Sequence, residues 1–183
     1  MKLNIYKRSI ASAAMCSMLL FGCGQDFLEE TNPNAITTDT FWQNSSQFQS
    51  GLATVYGALQ FQSISGGGLI NEMILGDIGG TESWYRPTAY RNLTYNDASD
   101  QVTDKWNELY IGVFRANQVI NQIKTADETL FAENEKQTIE AEARFLRAFF
   151  FFQLATTYGQ AIIRTEVPVT EEDFNATPST MEE

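Results

Sequence analysis

Between Val102 and Lys124 the chain keeps one interval. Val102, Trp106, Leu109, Tyr110, Val113, Asn117, Ile120 and Lys124 fall on a single helical stripe that is apolar except near its end. Such a stripe predicts a helix with one buried side, which in turn requires other elements to cover it. Ser99-Asp100 stands where a cap belongs, and Asp104 suits the positive first turn. A later helix is predicted from about Glu133 to Tyr158, with Ile139, Ala143, Leu146, Phe150, Leu154 and Thr157 on one side. Phe149, Phe151 and Phe152 spread apolar character around it, so its middle is expected to be buried on most faces. Glu140 and Arg144 form an i,i+4 pair, Arg144 and Arg147 are expected to satisfy carbonyls or carboxylates, and Gly159 sits at the C-cap position. An earlier helix is predicted from about Ser46 to Phe61, capped by Asn44-Ser45-Ser46 and carrying Phe48, Leu52, Val55, Tyr56 and Leu59.

Between and beyond these helices the pattern weakens. Gly66-Gly67-Gly68 breaks the chain, and residues 71–100 read as a long irregular segment with a short extended piece near Met73 to Leu75. Ile162 to Val169 reads as extended, closed by Pro168. Ser179-Thr180-Met181-Glu182 fits a capping box, which predicts a helix beginning at the end of the sequence and a chain that continues. Phe41, Trp42, Trp106 and the phenylalanine cluster are expected in the core.

Composition removes several functions. With no histidine, neither a Ser-His-Asp nor a Cys-His nucleophile system can be built, nor a histidine metal site. No Lys-Ser/Thr follows the glycine run, so a phosphate loop is not expected. Asp97, Asp100 and Asp104 lack the glycine of an EF-hand loop, and neither metal nor cofactor is expected. Glu72, Asp77 and Glu82 supply carboxylates, but nothing fixes their separation, so no enzyme activity is expected. The formal net charge of −11 includes Lys2, Lys7 and Arg8; beyond residue 22 it is −14, from nine basic and 23 acidic residues. A chain so acidic repels phosphate backbones, and nucleic acid is not an expected partner.

Those three basic residues open a different argument. They precede a mostly apolar run, Ile10 to Phe21, too short to span a membrane stably, and the run ends in Leu20-Phe21-Gly22-Cys23. This stretch resembles a bacterial lipobox, in which the cysteine is lipidated and becomes the new N-terminus. Residues 1–22 are then a lipoprotein signal peptide, Cys23 is a lipid anchor, and residues 23–40 form a linker. The mature chain keeps one cysteine and therefore no internal disulfide.

The segment "GDIGGTESWYRPTAYRNLTYN", Gly76 to Asn96, is the best local candidate for a ligand surface. Trp84, Tyr85 and Tyr90 are interleaved with Asp77, Glu82, Arg86, Arg91 and Asn92. Sugars offer apolar C–H faces that stack on rings, and their hydroxyls take planar polar partners. The candidate ligand residues are Asp77, Glu82, Trp84, Tyr85, Arg86 and Tyr90.

Four stretches occur in a familiar order: "CGQDFLEETNPN", "TFWQNSSQFQSGLATVYGAL", "WNELYIGVFRANQVINQI" and "AEARFLRAFFFFQLATTYG". In this they resemble the SusD/RagB family of outer-membrane lipoproteins of Bacteroidota, over the whole mature chain and the N-terminal part of the family's length. The resemblance implies an all-α, tetratricopeptide-like helical scaffold with long irregular ligand-binding loops, here a partial domain over residues 41–183. It implies a cell-surface nutrient-binding role, most often for glycans, as a lid on a SusC-like TonB-dependent transporter. The alternative is a helical lipoprotein that serves as a protein-interaction scaffold without binding small ligands.

Overall fold

A computed structural model describes residues 38–73, 75, 88–168 and 170–180. All of these belong to one compact unit, Thr38–Glu183. Residues 1–37, which include the expected leader, Cys23 and most of the expected linker, lie outside the described residues.

The elements in chain order are α1 (Thr38–Phe41), α2 (Ser45–Ala58), α3 (Gly67–Met73), α4 (Thr88–Arg91) and α5 (Asp100–Thr125). A 3-10 turn (Glu128–Leu130) leads to α6 (Glu135–Tyr158), followed by β1 (Gln160–Ala161), α7 (Glu171–Phe174) and β2 (Ser179–Thr180). The three long helices begin and end within a few residues of the positions their apolar spacing marks. At α2 the Asn44 carboxamide accepts from the Gln47 amide at 3.1 Å, and the Gln47 side chain accepts from the Gln43 amide at 2.7 Å. Gly159 ends α6 at φ 73°, a conformation that suits glycine.

Helices α5 and α6 form an antiparallel hairpin, as three side-chain contacts between them establish. Lys136 Nζ donates to the Ala126 carbonyl at 2.8 Å, Arg147 to Asn117 Oδ1 at 2.8 Å, and the Tyr158 hydroxyl to the Val102 carbonyl at 2.7 Å. Helix α2 packs across both partners. Phe48, Leu52 and Val55 of α2 meet Leu109, Val113, Ile120 and Ile123 of α5 and Ile139, Phe150 and Leu154 of α6 in one continuous apolar core. Gly112 permits the close approach of the hairpin, since a Cβ there would lie 2.7 Å from the Phe150 ring. Trp42 is half-buried, its ring 5.0 Å from that of Phe48. The fold is all-α and tetratricopeptide-like, with β1 and β2 the one strand pairing among the described residues.

Several local expectations are corrected. The glycine run does not simply break the chain: Gly67 opens α3, and the lack of a Cβ at Gly68 lets its amide reach the Gln62 carbonyl at 2.7 Å. Met73 closes that helix and the Leu75 amide donates to the Glu72 carbonyl at 3.1 Å, so this piece turns where it was expected to extend. Residues 88–91 form a helical turn inside the segment expected to be irregular. The capping-box residues Ser179 and Thr180 begin no helix but pair antiparallel with Ala161 and Gln160, giving backbone partners to the strand that follows α6. The stretch from Ile162 to Pro168 is tied down by side chains of the hairpin, with no ladder beyond Ala161. Phenylalanines do not bury α6 on most faces: Phe150 is fully buried, whereas Phe145 is 70% and Phe152 63% exposed. No helix among the described residues is long and apolar enough to cross a membrane.

Candidate functional site

Of the ligand residues expected from the sequence, Asp77, Glu82, Trp84, Tyr85 and Arg86 lie outside the described residues, as does Cys23. Tyr90 is described, on α4, and it is buried at 8% exposure. Its ring meets Tyr95 edge-on at 4.7 Å, and burial above all, then the nearby Glu72 and Tyr95, pushes its hydroxyl pKa up. Tyr90 therefore offers no open ring face. Beside it, Lys105 of α5 makes an ion pair with Glu72 of α3. Ser63, Gly68, Glu72, Tyr90, Gln101 and Lys105 line one void of about 10 Å³, with room for a single water.

A larger hollow, of about 280 Å³, lies between α5 and the chain that follows α6. Trp106, Tyr110, Val113, Phe114 and Asn117 form its helical wall, and Ile162, Arg164, Glu166 and Pro168 close the other side. Hydrogen bonds set the gap between the two walls. The Tyr110 hydroxyl accepts from the Ile162 amide at 2.6 Å and donates to the Ile162 carbonyl at 3.2 Å. Burial pushes the Tyr110 pKa up, partly offset by Ile162 and Arg164. Asn117, fully buried, donates to the Arg164 and Glu166 carbonyls at 2.9 and 3.3 Å and accepts from Arg147. Arg147 also donates to the Thr165 carbonyl at 2.9 Å, as expected of an arginine that satisfies backbone. Burial, then the Arg144 charge, lowers its pKa. The Trp106 ring is braced by Tyr110 at 4.9 Å and, perpendicularly, by Tyr158 at 5.0 Å.

The hollow thus has one wall carrying three aromatic rings, with one guanidinium and one carboxylate on the opposite side. That combination suits stacking against an apolar face with polar contacts beside it, and it holds no paired carboxylates for acid–base work. Among the described residues no group of three or more acidic or cysteine side chains is placed to hold a metal ion. Sequence reasoning placed Trp106 in the core and assigned no site here. The signal available was Asn117, an amide on an apolar stripe, which marks a backbone that must be met by that helix.

Comparison with known proteins gives one consistent answer. Residues 26–183 match the SusD-like family described as starch-binding and associating with the outer membrane. A SusD-like protein, P25, of Formosa agariphila is 27% identical over 166 residues, covering 84% of this chain and 31% of that protein. A SusD-like protein of Bacteroides ovatus is 24% identical over 163 residues, covering 86% of this chain and 28% of that protein. The crystal structure of a SusD-like carbohydrate-binding protein from Bacteroides fragilis aligns with a TM-score of 0.62 at 20% identity, over 78% of this chain and 29% of that one, a likeness of fold. The chain spans about a third of the length of the relatives it matches.

Proposed function

The chain belongs to the SusD-like family of outer-membrane-associated proteins, and from that premise we propose that it is a cell-surface lipoprotein that binds glycan for uptake. In this reading residues 1–22 are a cleaved signal peptide, lipidated Cys23 holds the protein to the outer membrane, residues 23–40 are a tether, and residues 41–183 contribute helical scaffold and ligand surface. The segment carrying Asp77, Glu82, Trp84, Tyr85 and Arg86 contacts the sugar, with Tyr90 as its buried support. The work is binding and closure over a partner SusC-like TonB-dependent transporter, without covalent chemistry. The observation that carries this reading is the family match over residues 26–183. The carbohydrate-binding protein of the same fold supports it.

A protein-interaction scaffold is the second reading, favoured by exposed Ile111, Phe114, Phe145 and Phe152. Tryptophan fluorescence separates the two, because the chain has three tryptophans, Trp42, Trp84 and Trp106, that can be removed one at a time. Soluble starch oligosaccharides are expected to quench emission in the wild type and in Trp42→Ala, but not in Trp84→Ala. Quenching that survives in Trp84→Ala and disappears in Trp106→Ala moves the sugar to the hollow. If no oligosaccharide changes the emission, the scaffold reading gains.

A further inference from the structure

Trp106, Tyr110 and Phe114 recur at every fourth position of α5 and face the stretch that follows α6 across the hollow of about 280 Å³. Most polar side chains in that lining are already committed within the chain. The Tyr110 hydroxyl both accepts from and donates to Ile162, and the Asn117 amide donates to the Arg164 and Glu166 carbonyls. Arg164 in turn donates to the Asp173 carbonyl. A sugar ring needs donors and acceptors around its rim, and these groups have been used to build the walls. What the hollow offers instead is apolar, from the three rings, Val113, Ile162 and Pro168. A bulky apolar side chain would leave water there without stranding a polar group of its own.

Two further observations define what carries such a side chain. The apolar surface continues out of the hollow, because Phe114 lines it and is still 45% exposed, and Ile111 is exposed one turn earlier on the same helix. A second hollow, of about 430 Å³, lies along the same stretch and shares Arg164, Glu166 and Pro168 with the first. Surface of this extent suits a run of residues better than one small molecule. Charge supplies the other requirement. Glu166 borders both hollows, is exposed, and has no ion pair among the described residues. Asp173 joins it in lining the second hollow, and beyond residue 22 the chain has 23 acidic and nine basic residues. A cation on the occupant is therefore attracted both at the rim and by the molecule as a whole.

We propose that the two adjoining hollows form a docking site for an extended segment of a partner protein, which seats a leucine, methionine or phenylalanine against Trp106 and Phe114 and sets a lysine or arginine on Glu166. The buried anchor supplies affinity, and the rim charge selects basic segments and speeds their encounter. This site is independent of where the chain binds sugar.

Fluorescein-labelled Gly-Ser peptides, each with one of these apolar residues and a neighbouring lysine, test the site by polarisation against the purified protein. The best of them is expected to bind about tenfold more tightly than its counterpart with alanine as the anchor. Glu166→Lys is expected to weaken that peptide about tenfold and to prefer a version with glutamate in place of the lysine. Phe114→Ser is expected to weaken both versions about tenfold. Both side chains are exposed, so both variants are expected to keep the wild-type circular dichroism. If the alanine-anchor peptides bind as tightly as the others, or if Glu166→Lys keeps the preference for lysine, the proposal is overturned. Starch oligosaccharides that displace the peptide would also overturn it, by putting sugar in the hollow. So would a dimer, seen by sedimentation, that Phe114→Ser dissolves, since the occupant would then be a second copy of this chain.

Discussion

Asn117 ties the stretch after α6 to the helical hairpin. It satisfies two carbonyls of the 162–168 stretch and the guanidinium of Arg147 from a position that solvent does not reach. Asn117→Ala is expected to cost about 1–3 kcal/mol, because the carbonyls and the guanidinium lose their buried partner. Urea unfolding measures the loss, and faster proteolysis between Ile162 and Pro168 locates it. Glu135 yields a second prediction, about pH. Hydrogen bonds, first from the Ser45 hydroxyl, then from the Ala132 amide and the Gln49 side chain, hold its carboxyl below the usual glutamate value. A lowered folded pKa gives stability that is present above the unfolded value of about 4.3 and is lost as pH falls through the folded one. Glu135→Gln should therefore be less stable than wild type at pH 7, and its Tm should fall less steeply on acidification below that value. The residue-scale roles were unevenly legible. Asn117 was visible as an amide on an apolar stripe, whereas the burial of Tyr90, whose ring lies 4.7 Å from that of Tyr95, had no periodic pattern to announce it.

At the scale of elements, helix existence was legible and short elements were not. Helices α2, α5 and α6 each repeat apolar residues over three turns or more, and their ends carry Asn44, Ser99 and Gly159. Helices α3 and α4 and the β1–β2 pair are two to seven residues long, too short for any period to emerge. A capping-box pattern at Ser179 was misleading, since a Ser-Thr pair suits an edge strand as readily as a helix start. Gly112 links element to packing. Gly112→Ala would put a Cβ 2.7 Å from the Phe150 ring inside the hairpin. The expected cost is about 1–3 kcal/mol, although alanine is the better helix former. If chemical denaturation finds Gly112→Ala equal to or more stable than wild type, the hairpin is less tightly apposed than described.

At the scale of the molecule, apolar surface is left open. Phe145 and Phe152 of α6 and Ile111 and Phe114 of α5 are exposed in a chain that spans about a third of its relatives' length. Their energetic weight differs sharply from that of Phe150. Phe150→Ala is expected to cost about 3–5 kcal/mol by opening a cavity, whereas Phe145→Ala and Phe152→Ala should stay within about 0.5 kcal/mol of wild type. Denaturation midpoints at constant m-value test the contrast. By itself the sequence determined the three long helices, their caps, the apolar face of each and the resemblance to the family. All of these rest on patterns local to the chain, since a helix matches side chains three and four positions apart. Tertiary structure alone decided which phenylalanines are covered, that Lys105 meets Glu72 across 33 positions, and that the Asn117 amide reaches carbonyls 47 and 49 residues away to shape the hollow beside Trp106. Those outcomes depend on where separate elements come to rest against one another, and no interval along the chain encodes that.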